Sequence, residues 1–331
     1  MDKSNEKNKN IDNKNVDKSN LETLLDAGKF TVTAEIGPPM SANVGFVQKR
    51  AEELKGCIDA VYITDNQTAM VRMSSIAAAK IVADVGIEPV MQMVCRDRNR
   101  IAIQSDLLGA YALGLRNLLV LSGDHQSFGN HPGSKNVYDV DSIQLIGGLT
   151  QLQEDGVFMG GSACKAPPRF FIGGAGHPFA DPLELQVMRV KKKIDAGARF
   201  ITTQAIYDIE KFAKWMELIR SEGLHKRAYI HAGICVNKTL KSIQMTQQVA
   251  GMDVPDFLID RMSKAEDKEA EGVNIAVDLL NEVMQIEGVS GIHIMAIGWE
   301  AIVPTIVGRL KFPKEHERAL GGANDQPGRE V

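Results

Sequence analysis

Cysteine, aromatic side chains, net charge and long apolar runs are all scarce in this sequence, and each scarcity removes a class of function. Its 38 basic and 42 acidic residues leave a net charge of −4. That balance gives no electrostatic case for nucleic acid or an anionic membrane surface. Aromatics make up 5% of the chain, too few for a platform of stacked bases. No uninterrupted apolar run reaches the about 18 residues that a membrane helix needs. The opening segment MDKSNEKNKNIDNKNVDKSN has no apolar core of a secretory signal and no arginine of a transit peptide. A cytoplasmic location is therefore expected. The four cysteines, Cys57, Cys95, Cys164 and Cys235, form no CxxC pair of the kind that zinc and iron–sulfur sites use. They read as reduced thiols. The histidines are dispersed, without HxH or HExxH, and read as surface or polar-core residues, so no metal site is expected.

What the chain does have is alternation. Short β-branched runs recur at 30–36 (FTVTAEI), 60–64, 89–95, 117–122, 170–174, 200–207, 228–235 and 291–297. Helical patterns separate them, among others at 46–55, 71–85, 100–113, 183–196 and 209–221. Several end in a glycine just before the next strand, as in ADVGIEPV and DAGARFITT, the usual C-cap. Strand–helix alternation predicts parallel strands with helical crossovers. Eight units favour a closed (β/α)₈ TIM barrel over an open sheet, and no GxGxxG follows the first strand to mark a dinucleotide-binding domain. The expected organisation is a single domain: a disordered tail over 1–20, a barrel over 21–312 with a helical insertion at about 255–287, and a flexible tail over 313–331. Both tails are too polar to offset the entropy of ordering.

In such a barrel the polar residues at the C-terminal strand ends are the catalytic candidates. Here they are Glu35, Thr64 with Asp65, Gln92 with Arg96, Ser122 with Asp124 and His125, His177, Gln204 with Tyr207, Asn237, and Trp299 with Glu300. Alternation in TVTAEI places Glu35 inside the barrel with Thr31 and Thr33. Desolvation there disfavours a carboxylate, which suits a proton donor; the alternative is a structural carboxyl paired with a lysine or arginine across the barrel. Asp124 follows Gly123, where backbone can approach a flat ligand and a negative charge can stabilise a cation; otherwise it is a cap or turn residue. Gln204 offers both a donor and an acceptor to a heterocycle edge, or is a buried amide bonded to its own wall.

The segments AEIGPP, VYITDNQ, LSGDH, KKKIDAGARFITTQAIYD, GVNIAVDLL and GIHIMAIGWE, in this order over about residues 30–312, resemble the methylenetetrahydrofolate reductase family. The resemblance implies a flavin-containing barrel that passes a hydride to the bridging methylene of methylenetetrahydrofolate, giving methyltetrahydrofolate. It implies Glu35 as general acid, Asp124 as the group near both flavin and folate, and Gln204, with Tyr207 and Trp299, on the substrate. Thr64, Tyr138 and His177 match flavin contacts, as does the backbone of Leu121, Ser122 and Gly123, with Ser122 in place of the usual arginine. Gln92 stands in for a histidine, Gly173 for an aromatic residue, and Lys192 and Lys193 fall where the family binds the diphosphate. The resemblance implies FAD over FMN. Ser242 and Thr246 replace the pair that folds around nicotinamide in NADH-using members, and Trp299 replaces an arginine. HIMAIGWE resembles a branch found in acetogens and other anaerobes, which implies an iron–sulfur partner subunit as electron carrier and leaves room for an oligomer. Two other readings compete: a pterin-binding methyltransferase barrel that passes a methyl group to a corrinoid protein, and a non-catalytic scaffold subunit.

Overall fold

The computed structural model describes residues 18–249 and 252–312. Eight strands follow one another around a closed, parallel barrel in chain order. They are β1 (Thr31–Ile36), β2 (Ala60–Ile63), β3 (Pro89–Val94), β4 (Asn117–Leu121), β5 (Phe171–Gly176), β6 (Phe200–Ala205), β7 (Tyr229–Cys235) and β8 (Val289–Met295). The eighth pairs with the first, with Thr33 opposite His293. All eight fall on the expected runs, and the TIM-barrel fold follows as expected.

The helices are α1 (Asn20–Asp26), α2 (Val44–Leu54), α3 (Ser75–Val85), α4 (Arg100–Ala112), α5 (Ser142–Asp155), α6 (Leu183–Asp195), α7 (Ile209–Ser221), α8 (Leu240–Gln247), α9 (Asp256–Lys264), α10 (Lys268–Val283) and α11 (Val303–Val307). Between β7 and β8 the chain thus holds α8 before the two helices of the 255–287 stretch. Helix α3 begins four residues later than the sequence pattern indicated. The Val71 N–H is taken by the Asn130 side chain and the Arg72 N–H by that of Asn66, at 3.0 Å each. Ser74 then caps the helix. Side chains that satisfy backbone donors this way compete directly with helix formation.

The expected tails lie outside the described residues except at 18–20, where order begins earlier than expected. Ser19 is buried and its hydroxyl accepts the Glu22 N–H at 3.0 Å. Glu88 receives the free Asn20 and Leu21 N–H groups at 2.7 and 2.6 Å. Helix α1 so held pushes Leu21 and Leu25 into the N-terminal mouth of the barrel, against Ala60, Tyr62, Val90, Leu119, Phe171 and Phe200. Inward glycines make room for large neighbours. A Cβ on Gly173 would lie 2.2 Å from the Phe200 ring, so the aromatic residue that the resemblance led one to expect at 173 has its space filled from the next strand. A second, larger core packs the outer faces of the strands against the helices.

Candidate active site

The inward face of β1 carries Thr31, Thr33 and Glu35, as alternation requires. Glu35 is 9% exposed. Its partners are neither lysine nor arginine: the Gln92 amide donates to Oε2 at 3.1 Å, and His293 Nε2 lies 3.8 Å from the same oxygen.

Above it opens a cavity of about 380 Å³, within the usual range for small-molecule sites. It gathers Gln92 from β3, Leu121, Ser122, Gly123 and Asp124 from the end of β4, His177 after β5, Lys193 from α6 and Gln204 from β6. Glu35 is not in its lining and meets it through Gln92. Gly123 has φ +88, and a Cβ there would come within 3.1–3.3 Å of Val94 and Arg96, so the backbone is bare where it faces the cavity. Strand β6 slips its register against β7 between Thr202 and Ala205. The Thr203 hydroxyl takes the Gly233 N–H at 2.9 Å, and this bulge re-aims Gln204.

One end of the cavity is basic. Burial, then the charge of Arg189, push the Lys193 ammonium down to about 8, while it donates to the Ala175 carbonyl at 2.6 Å. Burial first, then Arg189 and Lys193, lower the His177 pKa. His177 Nδ1 is buried with no hydrogen-bond partner among the described residues. Lys192 is exposed and outside the lining. The physical reason is helical: Gln186, Arg189, Val190 and Lys193 share one face at i, i+3, i+4 and i+7, and Lys192 lies about 100° away from Lys193. Sequence reading missed Gln186 and Arg189, although the apolar positions Val187, Val190 and Ile194 would have shown which face was buried.

Around Asp124 the backbone is strained and the charges are mixed, with Asp65 and Arg96 also in the lining. After β2, Asn66, Thr68 and Ala69 all have φ of 46–56°, a costly conformation for residues other than glycine. The turn is over-determined by its contacts. Thr68 N–H donates to Asp124 Oδ2 at 3.0 Å, and Arg96 donates to the Asn66 and Asp124 carbonyls at 3.2 and 3.1 Å. A Cβ on Gly129 would strike the Ala69 carbonyl, so the loop after β4 seats directly on this turn. Asp124 is therefore an exposed acid oriented by a strained loop, not a helix cap. Asp65 is buried and paired with Arg98 at 2.7 Å.

Other expected residues stand beside the cavity. Thr64 donates to Gln67 Oε1 at 2.9 Å, and Gln67 lines the cavity. The Tyr138 hydroxyl donates to the Gly123 carbonyl at 3.2 Å and braces that backbone from outside. Tyr207 is buried; its hydroxyl accepts from the Asn237 amide at 2.6 Å, and it borders a separate pocket between α7, α9 and α10. Trp299 packs under the Lys238 ammonium, 5.2 Å from the ring centroid. Neither Tyr207 nor Trp299 reaches the main cavity. Ser242 is spent on the capping box of α8, and the Thr246 hydroxyl lies within bonding distance of both the Ser242 carbonyl and Asn237 Oδ1. Among the described residues no His, Cys, Asp or Glu cluster could hold a metal, and no helix is long and apolar enough to cross a membrane.

Residues 20–311 match the family model described as methylenetetrahydrofolate reductase. The chain belongs to this family. Among the family's curated members, methylenetetrahydrofolate reductase 1 of Schizosaccharomyces pombe is 24% identical over 253 residues, which are 74% of this chain and 39% of that protein. The chain thus spans well under half of that relative and of methylenetetrahydrofolate reductase 2 of Saccharomyces cerevisiae, of which 38% is covered at 27% identity and 70% of this chain. The 5,10-methylenetetrahydrofolate reductase of Pectobacterium carotovorum is 24% identical over 80% of this chain and 85% of its own. A solved protein of Clostridium thermocellum, described as binding two copies of 5-methyl-5,6,7,8-tetrahydrofolic acid, shares the fold with a TM-score of 0.62 at 16% identity, over 87% of this chain and 97% of its own.

Proposed function

We propose that this chain reduces 5,10-methylenetetrahydrofolate to 5-methyltetrahydrofolate with a bound flavin as hydride donor. The observation that carries the reading is the single cavity in which bare backbone at 121–123, Asp124, Gln204 and the Glu35-bound amide of Gln92 come together. Membership of the family supports it.

The residues present fit a flavin. Gly123 admits a flat ring system against the backbone, His177 Nδ1 has a buried bond to make, and the Arg189–Lys193 end would take phosphate charge. Bound there, the flavin supplies the hydride. Glu35 supplies the proton that lets the bridging carbon leave one nitrogen of the five-membered ring. Gln92 holds the Glu35 side chain on the wall through that exchange. Asp124, fixed by the Thr68 N–H, places an oriented negative charge against the cationic one-carbon unit so formed. Gln204 orients the pterin edge. Two phosphate-binding side chains on α6 suit FAD, in line with the family resemblance. Ser242 and Thr246, standing where NADH-using members carry their nicotinamide-binding pair, are in line with an iron–sulfur partner of the anaerobe type as the electron source.

The test is direct. The purified protein is expected to carry a flavin spectrum, to bleach on anaerobic reduction, and to be reoxidised by methylenetetrahydrofolate with methyltetrahydrofolate formed in equal amount. Correctly folded protein without affinity for FAD or FMN, or reduced protein that methylenetetrahydrofolate does not reoxidise, would overturn the reading.

A further inference from the structure

Directly beneath Glu35 lies a buried histidine that the scheme above does not use. His293, on β8, is 2% exposed. Its ring packs on Tyr62 with centroids 4.3 Å apart, so it cannot swing away. Its Nδ1 lies 3.0 Å from the Thr33 hydroxyl. That hydroxyl has one hydrogen and also lies 3.0 Å from the Ile292 carbonyl, a second acceptor for it. When that hydrogen goes to Ile292, Thr33 accepts from His293 and Nδ1 carries the ring proton. In the neutral ring Nε2 is then a bare lone pair, and Nε2 is the atom that faces Glu35 Oε2 at 3.8 Å.

We infer that this is the tautomer present, that His293 is a positioning residue for Glu35, and that the two side chains keep one proton between them so that Glu35 is ready to donate. The inference rests on the proposed role of Glu35. A carboxylate facing an imidazole lone pair is repelled; a carboxylic acid facing it, or a carboxylate facing an imidazolium, is not. One proton on the pair is the arrangement the fixed ring favours. In turnover that proton passes from the Glu35 carboxyl to the folate nitrogen whose bond to the bridging carbon breaks. Water in the cavity then returns a proton to the carboxylate, and no electrons move in this exchange.

The surroundings leave the pair to itself. The titratable groups facing it are Tyr62 on β2 and His231 and Cys235 on β7; its remaining neighbours, Thr33 and Gln92, are neutral. Burial raises the Tyr62 hydroxyl well above its ordinary range and the Cys235 thiol to about 11. Burial, then His293, lowers His231 to about 3. Near neutral pH none of the three carries a charge.

The test replaces the lone pair by a donor. His293→Gln puts an amide N–H toward Glu35, which stabilises the carboxylate. In single-turnover oxidation of the reduced enzyme by methylenetetrahydrofolate, the alkaline limb of the pH profile should move down by about one unit. The rate above that limb should fall about tenfold, with little loss on the acid side. A profile that superimposes on wild type, or moves upward, overturns the inference. A second measurement needs no turnover: nitrogen-15 spectra of histidine-labelled protein. Wild type should show His293 protonated at Nδ1 and bare at Nε2, with a titration that Glu35→Gln displaces. The opposite tautomer, or a titration indifferent to Glu35→Gln, overturns it even if His293→Gln does not fold. If no folate is reduced at all, the proposed function fails while the spectra still decide this pairing.

Discussion

The two mouths of this barrel are built from the same eight strands and have opposite character. At the N-terminal mouth, Leu21 and Leu25 close the opening. Glu22 beneath them is bound by both Arg169 terminal nitrogens at 2.7 and 2.8 Å, and Glu88 meets the helix donors. At the C-terminal mouth the backbone is strained at three residues in four, 66–69, His177 leaves a buried nitrogen unpaired, and basic groups crowd one another at the expense of Lys193. Satisfied polar groups and apolar contact hold a fold together. Unsatisfied ones lower stability and persist where a ligand completes them. The contrast separates a stabilising end from the end that carries the candidate site, the division expected of barrels of this kind.

The sharpest way to break the comparison is to remove one proton at the end that carries the candidate site. Glu35→Gln should lower folate reduction about 10²–10⁴-fold while flavin stays bound and the melting temperature holds, measured by stopped-flow oxidation of the reduced enzyme. A variant that unfolds or sheds its flavin would make Glu35 a structural group and blur the two ends.

At the stabilising end, Leu21→Ala should lower unfolding stability by about 2–5 kcal/mol and leave turnover per folded molecule unchanged. Urea unfolding alongside steady-state rates checks both halves. A loss of turnover in fully folded protein would mean that the plug reaches the chemistry.

Between the ends, His231 tests burial itself. Its imidazole binds a proton near pH 6.5 when unfolded and only near 3 when folded. The unfolded state therefore holds more protons as pH falls through that window, and stability drops. The loss reaches about 2 kcal/mol by pH 5 from this one group. Urea midpoints at pH 7 and 5 measure it; no decline would show that His231 is hydrated.

The smallest effect sharpens the basic end. Lys193→Met should weaken flavin affinity about tenfold, and Lys192→Met should change it little, as read by fluorescence titration of apoprotein. Wild-type affinity should also fall as pH rises through about 8, where Lys193 loses its charge. Equal effects of the two substitutions would mean that the exposed lysine folds over the ligand.

Some of this was legible in residue order because its cause is local. Period-two and period-3.6 patterns placed strands and helices to within a few residues, and alternation alone turned Glu35 inward. Other features were not, because their cause is a neighbour distant in sequence. The late start of α3 depends on Asn130, more than fifty residues away, and the aim of Gln204 depends on a hydroxyl from its own strand paired to β7. Tyr207 sits at the end of a strand, yet faces into the wall because Asn237 meets it there. Lys192 and Lys193 are chemically identical neighbours, and only the packing of α6 tells them apart.

By itself the sequence determined the alternation, the parallel barrel and the presence of an acid on the first strand, since these follow from backbone periodicity and from which side chains tolerate water. The tertiary structure alone decided which lysine is buried, which acid a strained turn orients, and which histidine nitrogen faces Glu35. Those are questions of distance between residues far apart in the chain, and closure of the barrel is what sets such distances.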